Sequence, residues 1–179
     1  MKTTQILIAG FGGQGVLFAG KFLANKGMYE QFQVSWLPSY GPEMRGGTAN
    51  CSVILSDEPI GSPIITVPDV LLAMNLPSLQ KYVNTVAVGG EIYIDSSLID
   101  VKVERDDVKT YYIPATKLAR DNRIDKLANM IMVGSLLENN HELSFDGTND
   151  VLSKLIPPKK AQLLDLNLKA MQIGREYEF

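Results

Sequence analysis

The stretch "QILIAGFGGQGVLFAGKFL" constrains the fold more than any other part of this sequence. A short apolar run ends at Gly10, the pattern G-x-G-x-x-G extends from Gly10 to Gly15, and a run with helical spacing follows. A strand, a tight glycine turn and a helix N-terminus in this order create a position where a phosphate or carboxylate can dock. The same glycines also suit close packing of the helix on the strand. The pattern thus predicts an α/β opening with a glycine loop (residues 10–15) that either binds an anion or serves packing.

The rest of the chain alternates strand-like and helix-like segments. Strands are predicted in "QVSW", "NCSVILS", "DVLLAMN", "GGEIYIDSS" and "TYYIPA". Helices are predicted from Pro77 through Val83, over "TKLARDNRIDKLANMIMVGSLLENN", and in the amphipathic C-terminal segment after a proline break. Near-continuous apolar strands are typical of a parallel sheet with both faces covered. We expect one domain over residues 1–179, a three-layer Rossmann-like α/β domain with a largely parallel sheet and a helical C-terminal third.

Charge and hydropathy argue against two classes of function. Lys and Arg number 17 against 20 acidic residues, for a net charge of −3, and no long basic run is present. The broad positive patch that nucleic-acid binding requires is therefore not predicted. No apolar stretch approaches the roughly 20 residues that span a bilayer. We expect a cytoplasmic protein that binds neither nucleic acid nor membranes.

The chain contains one cysteine, Cys51, and one histidine, His141. It therefore lacks the thiolates for an iron–sulfur cluster and the Cys/His set of a zinc site, and such a cofactor must belong to a partner. Cys51 lies in the strand-like run "TANCSVILS", where a cysteine behaves as a small buried hydrophobe. His141 follows a predicted helix in a polar turn, which favours a surface or capping role.

The glycine loop alone does not establish dinucleotide binding. That function requires a carboxylate at the end of the second strand, roughly 20 residues further on, to hold the ribose hydroxyls. The second predicted strand, "FQVSWLPSYG", has no acid at its end, and Glu30 precedes the strand. Three roles stay open for the glycine loop: binding of another anion, contact with a partner, or packing of the helix on the strand. Gln14 is placed to donate a hydrogen bond to a ligand or to a neighbouring loop.

A second unusual segment, "PSYGPEMRGGTANCS", follows that strand. If the strand is parallel to the first, the segment leaves from the same edge of the sheet as the glycine loop. Tyr40, Glu43 and Arg45 then present a hydroxyl, a carboxylate and a guanidinium to one crevice. The alternative is a surface loop with a local ion pair of little energetic value. We refer to residues 39–47 as the charged loop.

Four segments, "AGFGGQGV", "SWLPSYGPEMRGGTANCSVILSDEPIGSP", "PDVLLAMN" and "GGEIYIDSS", resemble in order and spacing the gamma subunit (catalytic gamma domain) of the 2-oxoacid:ferredoxin oxidoreductases. The resemblance covers almost the whole chain. It implies a subunit of an enzyme that oxidatively decarboxylates a 2-oxoacid, transfers the acyl group to coenzyme A and reduces ferredoxin. The sequence of the charged loop resembles that of the 2-oxoglutarate or branched-chain 2-oxoacid enzymes more than that of the pyruvate enzymes.

The resemblance also implies where the site and the cofactors lie. The family's glycine loop corresponds to Gly12, Gly13, Gln14 and Gly15, and its signature loop to Ser39, Tyr40, Gly41, Pro42, Glu43, Arg45, Gly46 and Gly47. These residues are expected to form a wall near the thiamine and coenzyme A site, with Tyr40, Glu43 and Arg45 at the subunit boundary, and none of them is assigned as catalytic. Thiamine diphosphate, magnesium and iron–sulfur clusters are expected on partner subunits, and coenzyme A is a co-substrate.

The implied partners are the alpha, beta and ferredoxin-like delta subunits together with ferredoxin, and the isolated chain is expected to be inactive and able to form a homodimer. Two other functions stay open on the residues alone. One is a nucleotide-binding Rossmann-like oxidoreductase, which the missing second-strand acid disfavours. The other is a non-enzymatic partner module, and exposure of the apolar segment "MIMVGSLL" would favour any function with a permanent partner.

Overall fold

A computed structural model describes residues 2–40 and 48–179 of the chain. Within them lie six strands of one sheet and six α-helices. The strands are β1 (Thr3–Phe11), β2 (Gln33–Tyr40), β3 (Thr48–Ser56), β4 (Val70–Ala73), β5 (Glu91–Asp95) and β6 (Lys109–Ile113). The helices are α1 (Val16–Tyr29), α2 (Leu76–Tyr82), α3 (Ala115–Asp121), α4 (Ala128–Asn140), α5 (Thr148–Leu155) and α6 (Ala161–Arg175), with short 3-10 turns at Val83–Thr85 and Pro158–Lys160.

The sheet has the strand order β2-β3-β1-β4-β5-β6. β1, β4, β5 and β6 pair in parallel, whereas β3 pairs antiparallel with both β1 and β2. β2 therefore runs in the same direction as β1, and β3 alone is reversed. The expected largely parallel sheet is confirmed, but β1 and β2 are not neighbours because the β2–β3 hairpin inserts β3 between them.

Both faces of the sheet are buried, which accounts for the continuous apolar runs in the sequence. Ile6 and Ile8 of β1 belong to one core, together with residues of α1, α3, α4, α5 and α6. Leu7, on the opposite face, belongs to a smaller core that includes Leu79 of α2. Alternate residues of a strand point to opposite faces, so one strand contributes to both cores. The result is the predicted three-layer arrangement.

The predicted C-terminal helical region is present but divided. α3 ends at Asp121, and the chain turns through Arg123, which has a positive φ of 58°, before α4 begins. All residues of "MIMVGSLL" in α4 are buried, so this segment is core and offers no exposed apolar surface. α4 packs against α6 through glycines: a Cβ on Gly134 or on Gly174 would overlap the backbone of the facing helix. None of the described helices is long and apolar enough to cross a membrane.

Candidate functional site

The glycine loop lies at the carboxyl edge of β1, where the chain turns directly into α1. The amide of Gln14 donates to the carbonyl of Phe11 at 3.2 Å and closes a tight turn. Gly13 and Gly15 have positive φ angles of 96° and 75°, which glycine adopts without steric cost. Gly15 is the N-cap of α1, and the first turn of this helix contains no acidic residue. The positive end of the α1 dipole is thus available to an anion at this edge.

The glycines of the loop serve two different purposes. A Cβ on Gly10 would lie 2.7 Å from Oε1 of Gln14, and a Cβ on Gly15 would lie 2.5 Å from Nδ2 of Asn129. These two positions are glycine because neighbouring side chains occupy the space. A Cβ on Gly13 would meet no atom within 4 Å, and Gly13 is exposed. Packing therefore explains part of the motif, while Gly13 leaves an open approach to the backbone.

Gln14 connects the glycine loop to the neighbouring strand. Its Oε1 accepts from the amide of Phe11 at 2.6 Å, and its Nε2 donates to the carbonyl of Met74 at 2.8 Å. Met74 directly follows β4, so this side chain ties the ends of two parallel strands together. One of the two roles predicted for Gln14, donation to a neighbouring segment, is seen in this hydrogen bond, and donation to a ligand stays a prediction.

Two asparagines of the site were not predicted from the sequence. Asn75 accepts from the amide of Ser78 at 2.8 Å and caps α2, and its Nδ2 lies 3.5 Å from Oε1 of Gln14. Asn129, in the first turn of α4, donates from Nδ2 to the carbonyl of Gly15 at 3.0 Å. Asn75 carries a recognisable signal, since an asparagine before a proline-containing first turn is typical of an N-cap. Asn129 carries only the weaker signal of a polar residue within an apolar helical run.

A cleft of about 230 Å³ opens beside the loop at the same edge of the sheet. Its walls combine the glycine loop, apolar side chains and the connection between α3 and α4. The lining residues are Gly13, Gln14, Met74, Leu98, Thr116, Asp125, Lys126 and Ala128. The cleft thus offers the ammonium group of Lys126, the open backbone at Gly13 and an apolar wall, and it also contains the carboxylate of Asp125. The ammonium group and the open backbone suit a phosphate or other anionic group that is attached to a less polar chain.

Thr116 is held in the cleft wall by Asp95, the last residue of β5. Asp95 is fully buried, and its carboxylate accepts from the amide of Thr116 at 3.2 Å and from its hydroxyl at 2.5 Å. The same carboxylate accepts from the amide of Ser97 at 3.1 Å. With its oxygens satisfied in this way, Asp95 fixes the position of Thr116 and is not exposed to a ligand.

The charged loop begins and ends at this edge as well. In the register of the sheet, Gly10 pairs with Ala49, and Ala49 pairs with Tyr40. Ser39 is exposed near the end of β2, and β3 begins at Thr48. The ends of the charged loop therefore lie beside the glycine loop, as the direction of β2 predicted.

Most of the predicted residues of the charged loop lie outside the described part of the chain. These are Gly41, Pro42, Glu43, Arg45, Gly46 and Gly47, and the side chain of Tyr40 lies outside it too. The proposed contributions of Tyr40, Glu43 and Arg45 to a shared crevice remain predictions.

Among residues 2–40 and 48–179, no carboxylate lies at the position where a dinucleotide requires one to hold its ribose. The strand beside β1 on the hairpin side is β3, which begins at this edge with Thr48, and the strand on the other side, β4, is followed by Met74 and Asn75. Glu30 lies at the opposite edge, where it pairs with the fully buried Lys26 and accepts from the amide of Ser144 at 2.9 Å. In the described part of the chain, strand order therefore places no acidic residue beside the end of β1.

Cys51 and His141 take the positions predicted for them. Cys51 is fully buried, its Sγ lies 3.4 Å from the carbonyl of Val16, and burial raises the pKa of the thiol to about 12. His141 is exposed and ends α4 with a positive φ of 59°. Among the residues that the structure describes, no group of three or more His, Cys, Asp or Glu side chains is arranged to hold a metal ion.

Comparison of the sequence with known families and proteins gives an end-to-end match. The family model for pyruvate ferredoxin/flavodoxin oxidoreductase matches residues 5–177. The chain is 37% identical over 177 residues to ketoisovalerate oxidoreductase subunit VorA of Methanothermobacter thermautotrophicus, covering 97% of this chain and 36% of VorA. It is 36% identical over 180 residues to 2-oxoglutarate synthase subunit KorC of the same organism, covering 96% of this chain and 93% of KorC. The chain thus spans about a third of VorA and nearly all of KorC.

Two solved structures share the fold over almost the whole chain. One is the gamma subunit of the keto/oxoacid ferredoxin oxidoreductase from Geobacter sulfurreducens, with a TM-score of 0.85, 28% identity, and coverage of 98% of this chain and 96% of that one. The other is 2-oxoglutarate:ferredoxin oxidoreductase from Magnetococcus marinus with 2-oxoglutarate, coenzyme A and succinyl-CoA bound. Its TM-score is 0.87 at 26% identity, with coverage of 98% of this chain and 31% of that one.

Proposed function

The chain belongs to the pyruvate ferredoxin/flavodoxin oxidoreductase family, and on this premise we propose that it is the gamma subunit of a multi-chain 2-oxoacid:ferredoxin oxidoreductase. The observation that carries the proposal is the match to KorC, which extends over 96% of this chain and 93% of that subunit. The fold of the Geobacter sulfurreducens gamma subunit, shared at a TM-score of 0.85, supports it independently. In the reaction, a 2-oxoacid and coenzyme A give acyl-CoA, carbon dioxide and a proton, while two electrons reduce two ferredoxins.

This chain supplies only part of the enzyme. The residues present do not fit an iron–sulfur cluster, because its one cysteine is fully buried and keeps its proton at neutral pH. The described residues also offer no acidic cluster for the magnesium ion that accompanies thiamine diphosphate. Thiamine diphosphate, magnesium and the clusters, which supply the decarboxylation and the electron path, are therefore assigned to the alpha, beta and ferredoxin-like delta subunits.

The cleft at the carboxyl edge is the part of this chain that we assign to coenzyme A. Three features favour a phosphate group here: the Lys126 ammonium group, the open backbone at Gly13 and the N-terminus of α1. The carboxylate of Asp125, in the same lining, offsets part of the charge of Lys126. Met74 and Leu98 provide the apolar wall that a less polar chain requires. A volume of about 230 Å³ admits one segment of coenzyme A, so the rest of the molecule would extend toward a partner subunit.

The charged loop is assigned to the boundary with the catalytic partners. Its ends lie beside the glycine loop, so the loop is anchored next to the proposed coenzyme A cleft. We infer that Arg45 contacts an anion or a carboxylate at this boundary and that Glu43 orients it. Desolvation between subunits would strengthen such a pair relative to a surface pair. The substrate is assigned as 2-oxoglutarate or a branched-chain 2-oxoacid, the classes named in KorC and VorA.

The test is affinity purification of the C-terminally tagged chain from its native cells under anaerobic conditions, followed by coenzyme A-dependent dye reduction with a panel of 2-oxoacids. The proposal expects thiamine- and cluster-carrying chains in the eluate and activity on 2-oxoglutarate or a branched-chain acid. Recovery of the chain alone, inactive on every acid, would contradict the proposal and favour a binding module.

A further inference from the structure

The side chain of Asn129 joins two segments that are far apart in sequence. It lies in the first turn of α4, is 3% exposed, and donates from Nδ2 to the carbonyl of Gly15 at 3.0 Å. The same carbonyl accepts the first hydrogen bond of α1, from the amide of Ala19 at 3.0 Å. We propose that Asn129 is a positioning residue that holds the glycine loop in the shape required to bind coenzyme A. This inference rests on the function proposed above. It identifies a residue that maintains the geometry of the cleft assigned to coenzyme A.

The steric fit between Asn129 and the loop supports this role. A Cβ on Gly15 would lie 2.5 Å from Nδ2, 2.7 Å from Cγ and 3.2 Å from Oδ1 of Asn129. The carboxamide therefore fills the space that any other residue at position 15 would need. Gly15 has a φ of 75°, so its conformation and its neighbour together define where α1 begins.

The hydrogen bonding of Asn129 points to a donor function. Its Oδ1 is buried without a partner among the described residues, so only the donor half of the carboxamide is used. A buried polar oxygen without a partner costs stability, and an apolar residue at this position would avoid that cost. The donation to Gly15 is the evident compensation, because it connects α4 to the loop.

Asn129 also couples the two walls of the cleft. Gln14 ties the loop to the end of β4, and Asn129 ties it to α4 from the other side. Ala128, which lines the cleft, directly precedes Asn129 in the chain, and Lys126, also in the lining, lies three residues before it. Movement of the loop relative to Lys126 would change the space available to a phosphate group. The buried carboxamide of Asn129 thus sets the distance between the backbone donors of the glycine loop and the ammonium group of Lys126.

The chain offers a matched control in Asn167 of α6. This side chain is 4% exposed, its Oδ1 is likewise buried without a partner among the described residues, and its Nδ2 donates to Leu163, within its own helix. Like Asn129, it is buried and uses only the donor of its carboxamide, but it does not contact the glycine loop. Replacing each asparagine with leucine removes the same chemistry from two different places.

The experiment compares Asn129→Leu with Asn167→Leu in the reconstituted oxidoreductase. For Asn129→Leu we expect the KM for coenzyme A to rise about tenfold, with kcat and the KM for the 2-oxoacid within about twofold of wild type. For Asn167→Leu we expect all three to stay within about twofold. Equal effects of the two variants, or a loss confined to kcat, would overturn the inference. If Asn129→Leu does not assemble, Asn129→Ala, which introduces no larger side chain, takes its place with the same expectation.

Amide hydrogen exchange gives a second readout that does not depend on activity. The Ala19 amide, which is bonded to Gly15, is expected to exchange at least about tenfold faster in Asn129→Leu than in wild type, and unchanged in Asn167→Leu. If the wild-type complex oxidises no 2-oxoacid, the proposed function fails, and the exchange rate alone decides whether Asn129 positions the loop. An Ala19 amide that exchanges equally in wild type and Asn129→Leu would contradict the role of Asn129.

Discussion

Alanine at Gly15 and alanine at Gly13 should have very different effects on stability, although both glycines have positive φ angles. At Gly13 a Cβ meets no atom within 4 Å, so the substitution adds only backbone strain. That strain is about 1 kcal/mol and is partly offset by the reduced entropy of the unfolded chain. At Gly15 the Cβ also displaces the Asn129 carboxamide, which lies 2.5 Å from it. Overpacking and the lost hydrogen bond add about 2 to 3 kcal/mol.

The measurement is thermal unfolding of the purified chain followed by circular dichroism. A difference of about 2 to 3 kcal/mol between the two variants corresponds to roughly 4 to 12 °C in Tm for a chain of this size. We expect Gly13→Ala to unfold within a few degrees of wild type and Gly15→Ala well below it. In the double variant Gly15→Ala/Asn129→Ala, the space for the new methyl group is restored and part of the loss in Tm should be recovered. Equal Tm values for Gly13→Ala and Gly15→Ala would refute the reasoning.

Three further predictions concern other parts of the molecule. Gly174→Ala, which places a Cβ in the backbone of α4, should lower Tm by roughly 4 °C or more, whereas Gly61→Ala, with no atom within 4 Å, should leave it almost unchanged. The thiol of Cys51, whose pKa burial raises to about 12, should not react with a maleimide in the folded chain but should react after denaturation; rapid labelling of the folded chain would contradict its burial. A hydrogen bond from Arg105 lowers the pKa of Asp107 in the folded state, so its contribution to stability is present above the unfolded pKa and is lost as pH falls through the folded one. Asp107→Asn should therefore flatten the acid limb of the pH–stability profile, and an unchanged limb would show that the pair contributes nothing.

The elements nearest the glycine loop were the most predictable from sequence. The apolar run before Gly10 and the helical spacing after Gly15 predicted a strand and a helix, and the structure has β1 and α1 at these places. Local signals suffice here because the glycine loop separates the two elements and most of their apolar residues are buried. The burial of Cys51 followed in the same way from its strand pattern.

The order of the strands and the contacts of the loop could not be predicted in this way. Insertion of β3 between β1 and β2 depends on pairing across the sheet, which leaves no local trace in the sequence. α5 (Thr148–Leu155) was missed because its short segment buries few apolar residues and begins after Gly147, without a side-chain cap. The link between Asn129 and Gly15 joins positions 114 residues apart. Asn129 is recognisable only once the fold brings α4 to the loop.

The most direct test of the account is an omission and add-back assay with the purified partner subunits under anaerobic conditions. Coenzyme A-dependent reduction of ferredoxin by a 2-oxoacid is measured without this chain, with the wild-type chain, and with Lys126→Glu, which replaces the ammonium group of the cleft with a second carboxylate beside that of Asp125. The account predicts no activity without the chain, restored activity with wild type, and a raised KM for coenzyme A with Lys126→Glu. Full activity of the partner subunits in the absence of this chain would contradict its assignment as a subunit of the enzyme.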